Sequence, residues 1–357
     1  MARQWVLTSQ IDFETSLEFQ TNIPIPSAAD LQPHDVLVRI QAASLNHRDI
    51  AVPTPTNLGG PINPPLIPGC DGAGLVEAVG PAVTEFRPGD RVVTHLAPNL
   101  ARDAGDDAQA AFADAAGMLG QGTDGTLRSH GVFSEFALVL APGTLGWLPA
   151  ATLTCTWATA WNALFCLRGR AVGPDSWVLV QGSAGVSVAA LQLAAAAGAT
   201  VVATTSSADK AARLRALGAA HTVRYRGNPS WGEEARALTP GRRRGFDFVI
   251  DIGGAETLPQ SLAAVRTDGV VLVVGGVGDA GARQPPLFAA LMHTCIVRGV
   301  LGGSRRHLRD AVRYIDERGI EPAADDVVFE LAEAKDAYRR LEQKKHFSKV
   351  VIRVDHQ

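Results

Sequence analysis

Short runs of alternating apolar and polar residues fill the first part of the chain, from residue 5 to about residue 148. Examples are DVLVRIQAAS and FSEFALVL, and Pro- and Gly-rich segments such as PLIPGCDGAG and FRPGDRVV separate the runs. Alternation with a period of two residues is typical of strands that bury one face. This part of the chain is therefore predicted to be an antiparallel β domain.

Residues 99–130 interrupt this pattern and are rich in Ala, Asp and Gly. Their composition predicts a short helix over residues 107–118, followed by the flexible string GQGTDGT. The sequence leaves open whether the segment forms a lobe or lid or is a solvated loop.

The pattern changes after Pro149. Continuous apolar runs alternate with helix-like segments, and from about Gly302 two further helix-like segments precede a last strand, SKVVIRV. Runs that are apolar on both faces predict parallel strands covered by helices on both sides of the sheet. The apolar runs are SWVLVQG, ATVVATT, FDFVIDIGG and GVVLVVGG.

A turn of small residues, QGSAGVS, joins the first of these strands to the next helix. Small residues let the backbone approach a pyrophosphate, and the helix N-terminus supplies N–H donors and a positive dipole. The string is only G-x-x-G, so its position between a buried strand and a helix carries the prediction of a dinucleotide site. The predicted residues are Gly182, Ser183, Ala184, Gly185 and Val186.

The next strand ends in Thr-Thr-Ser-Ser without an acid. A carboxylate there would bind the adenosine ribose and repel a 2′-phosphate, whereas the hydroxyls of Thr205 and Ser206 and the ammonium of Lys210 can donate to a phosphate. This favours NADPH over NADH. The same residues also fit an ordinary helix start, in which Ser206 and Ser207 cap the helix and Lys210 is a surface residue.

Composition narrows the function further. A chain of 357 residues with 46% apolar residues, 19% charged residues and a net charge of −3 has room for two domains and lacks a globally basic surface. We expect a cytoplasmic protein acting on a small molecule, with neither nucleic acid nor membrane as partner, since no signal-peptide pattern or long apolar run occurs. The four cysteines form no C-x-x-C pair and are typical of buried hydrophobes: Cys70, Cys155, Cys166 and Cys295.

Several stretches together resemble the medium-chain dehydrogenase/reductase superfamily over essentially the whole chain, and most of all its zinc-independent quinone oxidoreductase-like and alcohol dehydrogenase-like branches. The resemblance implies a GroES-like substrate domain (1–150, rejoined by 301–357), a Rossmann NAD(P)-binding domain (151–300) and a cleft for the nicotinamide. The fold class is thus α/β, with a doubly wound parallel sheet plus a β-rich domain. The stretches are AASLNHRDI, PPLIPGCDGAGLVEAVG, FRPGDRVV, TCTWATAWNALF, VLVQGSAGVSVAALQLAAAAGA, TTSSADKAARLRALGA and HFSKVVIRV.

The same resemblance bears on zinc. Zinc-dependent members have a cysteine ligand where this chain has Asn46 and a His-Glu pair where it has Cys70-Asp71, while Cys155 matches the third ligand. The four cysteines of the structural zinc lobe are missing from residues 99–130. The resemblance therefore implies no zinc, although two thiolates with Asp71 leave a zinc site as the alternative.

The resemblance also implies further cofactor-binding residues. Packing in the core is the alternative for Tyr225 and Phe347, and a solvated loop is the alternative for His47. The implied positions are Asn46 and Thr159 near the nicotinamide, His47 near the pyrophosphate, Lys210 and Tyr225 at the 2′-phosphate, Gly253, Gly275, Gly276 and Val277 as walls, and Phe347 and Lys349 closing the site.

With no metal to polarise an isolated carbonyl, the favoured reaction is hydride transfer to an activated alkene or a quinone, in which charge spreads into a conjugated carbonyl. Candidate catalytic residues are Asn46, as a donor to the carbonyl, Cys155, near the cleft, and Asp49, for which ordering its own loop is the favoured alternative.

Other functions stay open. One is a carbonyl reductase or alcohol dehydrogenase, and another is a non-redox isomerase or cyclase that reuses the cofactor cleft. A cofactor-sensing or RNA-binding regulator has only the arginines 242–244 and 305–306 in its favour, and such runs are usually solvated. The segment CIVRGVLGG looks like the sheet edge through which this superfamily pairs, so a homodimer is expected.

Overall fold

A computed structural model of the protein describes residues 1–241, 245–278 and 281–354. The chain divides into two compact units. Unit 1 comprises Met1–Ala158 and Gly302–Gln357, and unit 2 comprises Thr159–Leu301.

The strands are named in chain order. They are β1 (Ala2–Leu7), β2 (Leu17–Ile23), β3 (Asp35–Leu45), β4 (Asp71–Val79), β5 (Arg91–Thr94), β6 (His130–Ser134), β7 (Leu138–Leu140), β8 (Trp177–Val180), β9 (Thr200–Thr205), β10 (Ala219–Arg224), β11 (Phe246–Asp251), β12 (Val265–Val273), β13 (Ile296–Gly299), β14 (Val328–Glu330) and β15 (Val350–Arg353).

The α-helices are named in the same way. Among the described residues, none of them is long and apolar enough to cross a membrane. They are α1 (Phe13–Ser16), α2 (His47–Ala51), α3 (Pro98–Ala104), α4 (Trp147–Ala150), α5 (Ala158–Phe165), α6 (Gly185–Ala196), α7 (Ala208–Ala216), α8 (Trp231–Ala237), α9 (Leu258–Ala264), α10 (Ala289–His293), α11 (Arg305–Arg318) and α12 (Ala334–Glu342).

Unit 1 is built on a seven-stranded sheet in the order β14-β15-β3-β4-β5-β7, with β6 paired to β3. Apart from the parallel pair β14 and β15, neighbouring strands are antiparallel, as the alternating pattern predicts. The long strand β3 pairs with β6 along its first half and with β15 near its end. Strands from both ends of the chain therefore meet on β3.

The segment 99–130 departs from the prediction. A helix over 107–118 is wrong, because α3 lies earlier and only a 3₁₀ turn, Phe112–Gly117, falls in that range. Pro98 fits the first turn of α3, where no N–H is needed, and Gly105 ends the helix in the left-handed region (φ +90°). The segment then packs in unit 1, where the Thr126 hydroxyl donates to the Asp71 carbonyl at 2.9 Å.

Unit 2 contains a six-stranded parallel sheet in the order β10-β9-β8-β11-β12-β13. This is the doubly wound order of the Rossmann fold, in which the strand order reverses beside the first strand, here β8. Its strands and helices share a cluster of buried apolar side chains, as the continuous runs predict. Buried core residues include Leu179, Val202, Val223, Phe246, Leu262 and Val271.

Candidate active site

Strand register in unit 1 brings three polar residues to one end of β3. Ser44 lies opposite Asp71, the first residue of β4, and Leu45 lies opposite Val350, the first residue of β15. Asn46 and Lys349 extend these strands by one residue each. The ends of three neighbouring strands thus place Asn46, Asp71 and Lys349 together.

Asp71 is the centre of this group, and we call Ser44, Asn46, Cys70, Asp71, Cys155 and Lys349 the Asp71 cluster. The Asp71 side chain is completely buried, and its Oδ2 lies 2.9 Å from the Nζ of Lys349, whose side chain is 2% exposed. The Ser44 hydroxyl donates to the same oxygen at 3.1 Å. Because a buried carboxylate is costly without a partner, the ion pair and the hydrogen bonds account for its charge.

Lys349 also fixes the orientation of the Asn46 amide. Its ammonium donates to Asn46 Oδ1. An ammonium has no acceptor, so the oxygen of the amide must face it and the Nδ2 group must face the other way. There, Nδ2 donates to Cys70 Sγ over a long 3.5 Å.

The two thiols of the cluster adjoin each other and Asp71. Cys70 donates to Asp71 Oδ1 at 3.2 Å, and the backbone N–H of Cys155 donates to the same oxygen at 3.1 Å. Hydrogen bonding with the Cys155 thiol, together with burial, raises the pKa of Cys70 well above its usual value. Neither cysteine forms a disulfide, and Cys70 is buried whereas Cys155 is partly exposed.

These atoms are also the donors that a metal ion would use. One ligand atom from each of Cys70, Asp71 and Cys155 lies within 4.8 Å of the other two. However, both oxygens of Asp71 already accept hydrogen bonds, and the Lys349 ammonium places a positive charge beside them. Asn46, at the fourth position, offers only an amide whose oxygen faces that ammonium. This donor set does not fit a resident zinc ion, which needs three free ligands and an open position.

Asp49 and His47 lie on the short helix α2. Asp49 is buried, and its Oδ2 accepts the backbone N–H of Asn46 at 2.7 Å, so it orders the turn that carries Asn46. Burial raises the pKa of Asp49. His47 is exposed at the start of the helix. The catalytic role of Asp49 and the cofactor role of His47 stay predictions.

Unit 2 presents the small-residue turn between β8 and α6. Gly182 has φ +71°, a conformation that favours glycine, and its N–H donates to the Thr204 hydroxyl at 3.1 Å. The Ser187 hydroxyl donates to the Gln181 carbonyl at 2.6 Å and ties the first turn of the helix back to the strand. The helix begins at Gly185, so its free N–H groups lie at the turn, as a pyrophosphate site requires.

The predicted 2′-phosphate residues gather at the end of β9. Thr205 is its last residue, and the Ser207 hydroxyl caps α7 by accepting the N–H of Lys210. Tyr225 is exposed after β10, and its N–H donates to the Thr205 carbonyl at 3.1 Å. Ser206 and Lys210 are half-buried beside this cap. The cap uses the backbone N–H of Lys210, whereas the phosphate prediction uses its side-chain ammonium, so the two roles are compatible.

The loops after β11 and β12 contain the other predicted glycines. The N–H of Val277 donates to the Ile252 carbonyl at 3.0 Å, so the loop of Gly275 and Gly276 lies against that of Gly253. Asp251, which the sequence analysis missed, organises the first loop. Its carboxylate accepts the N–H of Gly254 at 2.8 Å, and burial raises its pKa.

The remaining predicted residues are placed as follows. Phe347 is buried in unit 1, two residues from Lys349, and Thr159 is buried in α5 at the start of unit 2. Arg305 is buried and paired with Glu85 and Asp106, so it presents no free charge to a nucleic acid. The arginines 242–244 lie outside the described residues.

Sequence reasoning also missed the ion pair of Lys349 with Asp71 and the role of Arg48. Arg48 donates to the Leu119 carbonyl at 2.9 Å and to Gln121 Oε1 at 3.1 Å, which ties segment 99–130 to α2. The only signals for the ion pair were an acid in the segment PLIPGCDGAG and a lysine in the predicted last strand, SKVVIRV.

Comparisons with known proteins agree with this fold. Residues 32–149 match the family model of the alcohol dehydrogenase GroES-like domain, and residues 185–317 match that of zinc-binding dehydrogenases. A zinc-type alcohol dehydrogenase-like protein of Schizosaccharomyces pombe is 39% identical over 91% of this chain and 92% of its own length. The chain belongs to the medium-chain dehydrogenase/reductase superfamily and is an oxidoreductase of that type.

Other relatives are similar over most of the chain. A solved structure of a putative alcohol dehydrogenase from Sinorhizobium meliloti has a TM-score of 0.85 and 35% identity, and the match covers 99% of this chain and 98% of that one. Crotonyl-CoA carboxylase/reductase of Cereibacter sphaeroides is 27% identical, over 91% of this chain and 81% of that protein. A 2-haloacrylate reductase of a Burkholderia species is 27% identical, over 90% and 91%.

Proposed function

We propose that this protein is an NADPH-dependent, zinc-independent reductase of an activated alkene (an enone or enoyl group) or a quinone. The observation that carries the proposal is the amide of Asn46, which Lys349 orients so that Nδ2 is left as a donor. That donor is only weakly used, because its partner is a sulfur atom at 3.5 Å. A substrate carbonyl oxygen is a better acceptor and can replace it.

The chemistry of an activated alkene suits such a donor. When bound, the nicotinamide cofactor supplies the hydride. Addition at the β-carbon sends negative charge to the conjugated carbonyl oxygen, where Asn46 Nδ2 stabilises it by a hydrogen bond. The Lys349 ammonium on the other end of the amide strengthens that bond, since linked hydrogen bonds polarise one another. A solvent proton then completes the reduction at the α-carbon.

The names of two relatives support the choice of substrate class, because crotonyl-CoA and 2-haloacrylate each carry an alkene conjugated to a carbonyl. The role of Cys155 as a catalytic residue stays a prediction.

The position of the transferred hydrogen tests this proposal. With NADPH deuterated at the transferring carbon and a simple enone as acceptor, the label is expected at the β-carbon of the product. Asn46→Ala is expected to lower kcat by about 5- to 30-fold, as for loss of about 1–2 kcal/mol of transition-state hydrogen bonding, with little change in NADPH affinity. Asn63→Ala, at an exposed asparagine of the same unit, is the matched control.

Two results would redirect the assignment. Label on a carbonyl carbon would mean carbonyl reduction, and conversion of substrate without consumption of NADPH would mean a non-redox reaction.

Zinc independence is supported by the hydrogen-bonded state of the Asp71 cluster and by Asn46. We expect elemental analysis of the purified protein to find no stoichiometric zinc, and chelators to leave activity unchanged. About one zinc per chain, lost together with activity on chelation, would contradict the proposal.

The preference for NADPH is supported by the end of β9, where Thr205 and Ser206 stand in place of an acid and Lys210 lies one turn into α7. Backbone N–H groups at the start of α6 fit the pyrophosphate, and the positive φ of Gly182 lets the chain turn there.

A homodimer is the proposed assembly. Strand β13 is the edge of the parallel sheet in unit 2, and the neighbouring residues Leu287 (86% exposed), Phe288, Leu291 and Met292 form an exposed apolar face. Such an edge and face favour pairing with a second copy. Light scattering is expected to give a molar mass of twice the chain mass. The double variant Leu291→Glu/Met292→Glu is expected to have the mass of a single chain. A monomeric wild-type protein would refute this assembly. The cytoplasmic location stays a prediction.

A further inference from the structure

The thiols of Cys70 and Cys155 are two neighbouring nucleophilic groups that the proposed reduction does not use. Their sulfur atoms are both among the three cluster atoms that lie within 4.8 Å of one another. A disulfide requires about 2.05 Å, so the sulfurs have to close by at most about 2.8 Å. Rotation of one cysteine side chain about its Cα–Cβ bond covers such a distance.

The two thiols differ in access. Cys155 is partly exposed in a π-helical turn, Leu153–Trp157, whereas Cys70 is completely buried. Exposure decides which thiol an external oxidant meets first. The buried thiol is then in place to react with the oxidised one.

We propose that Cys155 and Cys70 form an oxidation site, in which a hydroperoxide oxidises Cys155 and Cys70 resolves it to a disulfide. In the first step Cys155 takes the distal oxygen of the hydroperoxide, giving a sulfenic acid, and the hydroperoxide is reduced to an alcohol or water. In the second step Cys70 sulfur attacks Cys155 sulfur, the S–S bond forms and the S–O bond breaks. The departing hydroxide takes up a proton, equivalent to the one that the Cys70 thiol gives up, and leaves as water.

The surroundings of Cys70 suit the second step. Its S–H already donates to Asp71 Oδ1 at 3.2 Å, so the carboxylate is placed to take the proton as the sulfur attacks. Asn46 Nδ2 donates to the same sulfur and stabilises charge on it. Lys349 balances the charge of Asp71 throughout. The cluster thus holds an acceptor for the proton and a donor to the sulfur.

Disulfide formation is measured by counting thiols, a readout that does not depend on reductase activity. The folded protein is treated with hydrogen peroxide, and its free thiols are then alkylated under denaturing conditions. Two of the four thiols are expected to be lost, and a dithiol reductant is expected to restore them.

Peptide mapping identifies the pair. Trypsin leaves Cys155 and Cys166 on one peptide, residues 129–168, so the mapping is made in a Cys166→Ser background. We expect a linked product of that peptide with the peptide that spans residues 49–91 and contains Cys70, because trypsin does not cleave between Arg87 and Pro88. Cys295→Ser is the matched control and should leave the link unchanged.

Two variants separate the steps. Cys70→Ser should leave a sulfenic acid on Cys155 that dimedone traps, and Cys155→Ser should leave Cys70 as a free thiol. The mapping in the Cys166→Ser background does not depend on the folding of either variant. Overoxidation of Cys155 without a link, or a link that involves Cys295, would overturn the proposal.

Discussion

Replacing Lys349 by methionine is expected to lower the free energy of unfolding by about 3–5 kcal/mol, because Asp71 is left as a buried carboxylate without a cation. The value should lie toward the lower end of this range, because three donors to the carboxylate remain in the variant. They are the Ser44 hydroxyl, the Cys70 thiol and the backbone N–H of Cys155. Urea denaturation measures the change as a lower midpoint at an unchanged slope.

A double variant isolates the charge from the packing. Lys349→Met combined with Asp71→Asn removes both charges and should recover most of the lost stability, since replacement of a whole buried pair is often nearly neutral. Lys345→Met, at an exposed lysine four residues away, is the control and should change stability little. If Lys349→Met cost no more than this control, the ion pair would not matter for folding.

Replacing Lys210 by alanine is expected to weaken NADPH binding by about 5- to 150-fold and to leave NADH binding nearly unchanged. The range corresponds to loss of a charge-assisted hydrogen bond to the 2′-phosphate, about 1–3 kcal/mol. The protein is titrated with NADPH and, separately, with NADH. The fluorescence of the bound reduced nicotinamide reports binding and gives both affinities.

Lys345→Ala removes the same side chain from an exposed site in unit 1 and should affect neither cofactor. Equal losses of NADPH and NADH in Lys210→Ala would mean that the lysine supports the start of α7 without binding the phosphate. The capping bond from Ser207 uses only the backbone N–H of Lys210, so that bond survives in the variant.

Periodicity predicted the fold class because the two units differ in which faces of their strands are buried. Unit 1 strands alternate, whereas those of unit 2, such as Val178–Val180 within β8, are buried on both faces. The helix over 107–118 was mispredicted because composition alone does not reveal that Pro98 begins a helix and that Gly105 ends it.

The candidate site shows where prediction from sequence stops. Local motifs were sufficient for the turn of Gly182 and the end of β9, because a strand, a turn and a helix in sequence order already set that geometry. The ion pair of Asp71 and Lys349 joins residues 278 positions apart. No local pattern encodes such a contact.

The sequence by itself determined the two kinds of domain, the turn of small residues before α6 and the presence of Asn46 where zinc-dependent relatives have a cysteine. Each of these depends on residue type and short-range order. Only the tertiary structure decided how Asn46 is oriented and what Asp71, Cys70 and Cys155 contact. The reason is the register of β3 with β4 and β15, which brings distant residues to one buried point. At such a point charge must be paired, so the lysine, the carboxylate and the amide fix one another.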